Sequence, residues 1–96
     1  MELSELIKAK RKEILRLAAK HGAINVRIFG SVARGEAGPA SDVDFLVDVG
    51  GPRSPWFPAG LIGDLEELLG CKVDVVTEKA LHWYVRDQVL EEAVPL

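Results

Sequence analysis

Apolar residues return at helical spacing near the start of the chain. Leu3, Ile7, Ile14 and Leu17 fall on one side of a helix, and Lys10 interrupts the stripe. This pattern predicts an amphipathic helix over residues 4–20. His21-Gly22 ends it, Gly22 suiting the left-handed conformation that closes helices. Residues 25–29, Asn-Val-Arg-Ile-Phe, alternate as a short strand. Gly30-Ser31 breaks that strand, and Ser31 is placed to cap a short helix starting at Val32. Residues 36–41, rich in Gly, Pro and Ala, read as loop. Residues 42–49 form a second strand with Val43, Phe45, Val47 and Val49 on one side. A loop over residues 50–60 holds three prolines and three glycines. Leu61, Ile62, Leu65, Leu68 and Leu69 mark a second long helix with Gly70 as its stop. Residues 72–76 read as a third strand. Thr77 is the expected cap of a last helix running to about Ala93 and stopped near Pro95.

Helices alternating with strands predict an α/β architecture: a small mixed sheet of three or more strands with helices packed against it. Strand direction does not follow from the pattern. A chain of 96 residues is expected to form one domain over residues 1–96, with a modest core that gains from a partner or a second copy. The apolar faces of the first and last helices would suit a homodimer or a partner complex. No apolar run reaches the roughly 18 residues of a membrane span, and the charged first 13 residues do not read as a signal peptide. With the lone Cys71 unable to form an internal disulfide, a reducing cytoplasm is the expected compartment. The net charge is −3, from 12 basic and 15 acidic side chains. That acidic balance argues against a dedicated nucleic-acid binder, and the basic positions of the first helix read as a solvated face.

Three carboxylates stand out. Asp42 and Asp44 flank one residue at the head of the second strand, and side chains two apart in a strand share a face. Like charges held that close repel unless a cation sits between them. Mg²⁺ takes hard oxygen ligands and keeps other positions for water and phosphate; Mn²⁺ would fit too. Asp74 lies among valines on the third strand, where burial without a partner is costly. If strands two and three are neighbours, Asp74 meets the other two, and the three acids could hold two ions for in-line phosphoryl chemistry. Asp48 continues the alternation further along and reads as structural, paired with an Arg or Lys. Ahead of these acids, Gly30 allows close approach of a phosphate to the backbone. Ser31 opens a helix whose free amides attract phosphate oxygens, and Arg34 lies one turn on. No Gly-Lys-Ser/Thr follows at P-loop spacing.

Taken together, Gly30-Ser31-Val32-Ala33-Arg34-Gly35, five further residues, and Ser41-Asp42-Val43-Asp44 resemble the motif of the polymerase-β-like nucleotidyltransferases. Asp74, in Lys72-Val73-Asp74-Val75-Val76, matches their third acid. The run from Leu61 to Gly70 and the tail with Ala80, Leu81, His82, Arg86, Glu92, Ala93 and Val94 resemble the minimal nucleotidyltransferases, so the likeness spans almost the whole chain. It implies that Asp42, Asp44 and Asp74 are catalytic and ligate Mg²⁺, that Asp74 helps deprotonate the acceptor, and that Gly30 and Ser31 hold the β and γ phosphates of ATP or another NTP. Arg34 and Ser41 would support phosphate or orient the carboxylates. It further implies AMP transfer to a helical HEPN-type toxin, the chain acting as antitoxin.

Two rival readings stand beside this one: a non-catalytic module that masks its partner by contact, and an enzyme for small acceptors such as an aminoglycoside. Trp56 and Phe57 could stack on adenine or a partner, although such aromatics more often pin a loop to the core. His82 lacks a metal-ligand partner at fitting spacing and reads as a surface or packing residue. His21 reads as a C-terminal helix residue meeting the dipole, and Cys71 as a small buried side chain.

Overall fold

The computed structural model describes residues 3–36, 38, 41–51 and 55–96; the loop readings at residues 37, 39–40 and 52–54 lie outside them. The apolar stripe near the start becomes two helices, α1 (Leu3–Ala9) and α2 (Arg11–Lys20), rather than one. Lys10, at φ −101° and ψ 12°, bends the chain where the stripe is interrupted. The hydrogen bonds carry across the bend, from the Lys10 amide to Leu6 and from the Ile14 amide to Lys10. Ile7 and Ile14 on either side are both buried.

The remaining order is β1 (Ala23–Phe29), α3 (Gly30–Ala33), β2 (Val43–Val49), α4 (Ala59–Leu69), β3 (Val73–Thr77), a 3-10 turn (Glu78–Ala80), α5 (Trp83–Glu92) and β4 (Val94–Pro95). The sheet is mixed, in the order β3-β2-β1-β4. β1 runs antiparallel to β2 and to β4, and β2 runs parallel to β3 with α4 as the crossover. As expected, Gly70 ends α4 in the left-handed conformation, at φ 70°. Thr77, in contrast, ends a strand instead of capping the last helix. The 3-10 turn and extended residues to His82 separate it from α5.

α2 and α4 cover one face of the sheet. Val43, Phe45 and Val47 point into that layer, against Ile14, Ala18, Leu61 and Leu65. Phe45 is fully buried at 0% exposure. Phe45→Ala should therefore cost roughly 3–5 kcal/mol of unfolding free energy, the range for truncating a buried aromatic. Urea denaturation measures this, and a loss under about 1 kcal/mol would contradict such packing.

Alternation sends Asp44, Leu46 and Asp48 to the other face. A one-residue slip of β2 would turn Phe45 out and the acids into the core, so the register is strongly specified. Asp48 has the structural role expected of it. It accepts hydrogen bonds from Arg27 Nη2 and Asn25 Nδ2, each at 2.9 Å. Asn25 stands at φ 52°, where the β1 register shifts between Ile24 and Arg27, and asparagine tolerates that conformation better than most residues.

Candidate active site

Asp44 and Asp74 stand abreast on neighbouring parallel strands. The register pairs Val43 with Val73, Asp44 with Asp74 and Phe45 with Val75. Strands so paired lie about 4.8 Å apart, so the two carboxylates leave one sheet face side by side. Asp42 immediately precedes β2, two residues before Asp44. Asp42 and Asp74 are exposed and Asp44 is half-buried. Burial first, then repulsion from Asp74 and Asp42, raises the Asp44 carboxyl above its ordinary range, while nearby Arg34 partly opposes the rise. The cost of burial does not account for Asp74: β3 is an edge strand, and its outer face leaves that carboxylate open to solvent.

Phe29, paired with Asp44 across β1 and β2, hands the chain to Gly30. Gly30 stands at φ 76°. A Cβ there would run into Asp44 Oδ2, so the missing side chain makes room for the carboxylate. Ser31 lies within α3 and does not cap it; the cap position is Phe29, in extended conformation. Arg34 follows α3 and donates from Nε to Glu36, at 3.3 Å, and from Nη1 to Glu92 Oε2, at 3.2 Å. These two carboxylates raise its pKa further. Ser41 closes the turn before Asp42: its Oγ accepts from the Gly38 amide at 2.8 Å, and its amide donates to the Gly38 carbonyl at 3.1 Å.

Residues 7–96 match the family model of the nucleotidyltransferase domain. The chain belongs to the nucleotidyltransferase family. The enzyme is 38% identical over 93 residues to protein adenylyltransferase MntA of Thermococcus cleftensis, covering 97% of this chain and 91% of the relative. A solved structure assigned to a minimal nucleotidyltransferase superposes with a TM-score of 0.86 at 50% identity, over 100% of this chain and 97% of its own. A toxin–antitoxin crystal structure with AMP-PNP shares the fold, with a TM-score of 0.73 at 21% identity, over 88% of this chain and 69% of that one.

All seven sequence-predicted residues of the enzyme lie along the edge formed by the end of β1, α3 and the starts of β2 and β3. Asp42, Asp44 and Asp74 interact electrostatically, the Asp44 carboxylate fills the space a side chain on Gly30 would take, and Arg34 reaches Asp44 through its field. Ser31 follows Gly30, and Ser41 precedes Asp42. Among the described residues, no three acid, imidazole or thiol groups are already gathered round one point. The donor set still fits a hard divalent cation. Mg²⁺ commonly uses one or two carboxylates and takes its remaining oxygens from water and substrate phosphate, and the mutual repulsion around Asp44 is what a cation relieves.

Sequence reasoning missed Glu92 as a site residue. It comes from the last turn of α5, 62 positions beyond Gly30, and accepts the Gly30 amide hydrogen at 3.0 Å. No local pattern signals that pairing. Of the other singled-out residues, Cys71 lies beside this edge, two positions before β3. The His21 side chain meets Asp64 of α4 at 2.8 Å, which lowers the Asp64 carboxyl pKa. Phe57 packs against the core, as a loop-pinning aromatic does, while Trp56 is exposed. His82 stacks on Tyr84 with ring centres 5.4 Å apart. Cys71 is half-buried, and its thiol pKa is raised by burial and by Asp42 and Glu66.

Proposed function

We propose that residues 1–96 form one catalytic unit that transfers AMP from Mg²⁺-bound ATP to a hydroxyl of a partner protein. The partner we favour is a helical HEPN-type toxin, with this chain as its antitoxin. The observation that carries this reading is the pairing of Asp44 with Asp74 beside Gly30 and Arg34. Support for the protein acceptor comes from the name of the Thermococcus cleftensis relative. The open setting of the acids agrees with it. Asp42 and Asp74 are exposed, so a large acceptor can reach them and supply the missing wall of the site.

In this reading Asp42 and Asp44 hold the cation with the triphosphate, and the cation would offset charge on the α phosphate and on departing pyrophosphate. Gly30, Ser31 and Arg34 hold the β and γ phosphates, and Ser41 sets the turn that presents Asp42. The acceptor oxygen bonds to the α phosphorus as the bond to pyrophosphate breaks. Asp74 takes the acceptor proton and passes it to solvent.

Incubation of the enzyme with α-labelled ATP, Mg²⁺ and the protein encoded by the neighbouring gene should place label on that protein. Label should disappear when Mg²⁺ is chelated. No labelled partner, with cation binding intact, would refute protein adenylylation. Toxin neutralisation that persists in Asp44→Ala would favour masking by contact.

A further inference from the structure

We propose that Glu92 is a built-in competitor for the polyphosphate: its carboxylate occupies the Gly30 amide and the Arg34 guanidinium in the free enzyme, and an incoming triphosphate displaces it. This rests on the preceding reading that those two groups take phosphate oxygens.

Both groups already carry an anion. Glu92 Oε1 accepts from the Gly30 amide at 3.0 Å, and Oε1 and Oε2 stand 3.3 and 3.2 Å from Arg34 Nη1. A carboxylate and a phosphate compete for the same donors, because each presents charged oxygens to amide and guanidinium hydrogens. Satisfied by Glu92, the Gly30 amide has no spare hydrogen for another oxygen. The Glu92 side chain is 19% exposed, and rotation about its own bonds would carry the carboxylate off both donors.

Its backbone, by contrast, is fastened. Two residues later, Val94 and Pro95 pair with Ile28 and Arg27 of β1, and the Leu96 amide donates to the Val26 carbonyl at 3.0 Å. At the other end of α5, Arg86 bonds Glu78 at 3.1 Å. The helix therefore returns the carboxylate to the same place when phosphate departs. A second effect favours displacement. Glu92 is one of the negative groups acting on Asp44, so moving it outward relieves charge at the acids.

The opposite role is also a definite one. Glu92 could hold Arg34 ready for phosphate, and its loss would then weaken binding. Titration calorimetry with inorganic tripolyphosphate and Mg²⁺ separates the two by sign. Glu92→Gln keeps the shape and removes the charge. It should bind tripolyphosphate about tenfold more tightly than the wild type, on the order of one charge-assisted hydrogen bond of competition, while adenosine binding stays unchanged. The Gly30 amide resonance should move on titration in both proteins. Should Glu92→Gln fail to fold, Glu92→Asp, one methylene too short to reach both donors, carries the same expected direction.

Unchanged or weaker tripolyphosphate binding by the variant, with Arg34→Ala losing it, would overturn the competitor role and leave the phosphate reading standing. No binding by either the wild type or the variant would overturn both.

Discussion

Asp44→Asn should slow nucleotidyl transfer by orders of magnitude and, at neutral pH without divalent cations, make the protein more stable. Asp44 pays an electrostatic cost in the folded chain from burial and from Asp74 and Asp42. Its folded pKa lies above the ordinary 3.8, so the folded state holds that proton more tightly than the unfolded chain does. The contribution is thus most favourable below 3.8 and is lost as pH rises through the raised value. At pH 7 the ionised carboxylate is a liability that asparagine lacks. Because Asp44 is only half-buried, solvent screening limits the gain to about 1 kcal/mol or less, a Tm rise of a few degrees. Below pH 4 the difference should vanish. Asp64, whose pKa is lowered by His21, loses its own stabilising effect there in both proteins, so the comparison holds.

Mg²⁺ should reverse the ranking. A ligand that binds only the folded state raises Tm by mass action. The wild type should gain and Asp44→Asn should not. Transfer should fall by about 10³-fold, the order found when an electrostatic group serving the transition state is removed. An Asp44→Asn protein that is less stable than the wild type in chelator would show the carboxylate to be a structural asset, contrary to its surroundings.

The fold was legible wherever one period held for long enough. The stripe from Leu61 to Leu69 with its glycine stop, and the alternation from Val43 to Val49, correspond to α4 and β2. The face shared by Asp44 and the side opposite Phe45 follow from strand parity alone. The setting of Asp74 does not, because that depends on parallel pairing between β2 and β3 and on β3 being an edge. β4 was invisible for a related reason. It has two residues, one of them proline, and exists because β1 offers unpaired backbone groups at its free edge. The bend at Lys10 left a trace as a gap in the apolar stripe, yet such a gap also suits a continuous helix. Thr77 had the chemistry of a cap, and strand pairing with Val47 claimed it instead. Glu92 is the limiting case. Its contacts with Gly30 and Arg34 span 62 and 58 positions, and only the docked last helix brings them about.

Gly30→Ala should reduce transfer about 100-fold or more and destabilise the fold, for two separable reasons. At φ 76° an alanine carries the penalty of the left-handed region, roughly 1–2 kcal/mol. Its Cβ would also collide with Asp44 Oδ2, and Asp44 is anchored in a central strand between β1 and β3. The carboxylate must therefore swing away from its place beside Asp74. A misplacement of about 1 Å can cost about 10²-fold in rate. Removing the Asp44 side chain separates the two causes. In an Asp44→Ala background the collision is gone and only the backbone penalty remains, so Gly30→Ala should cost less there than in the wild type. A double-mutant cycle on unfolding free energies measures that difference, and coupling above about 0.5 kcal/mol is expected for residues in contact. Additive costs would mean that the alanine is accommodated without moving Asp44. Loss of transfer would then have to arise at the Gly30 amide itself, where Glu92 now sits and where phosphate is proposed to bind.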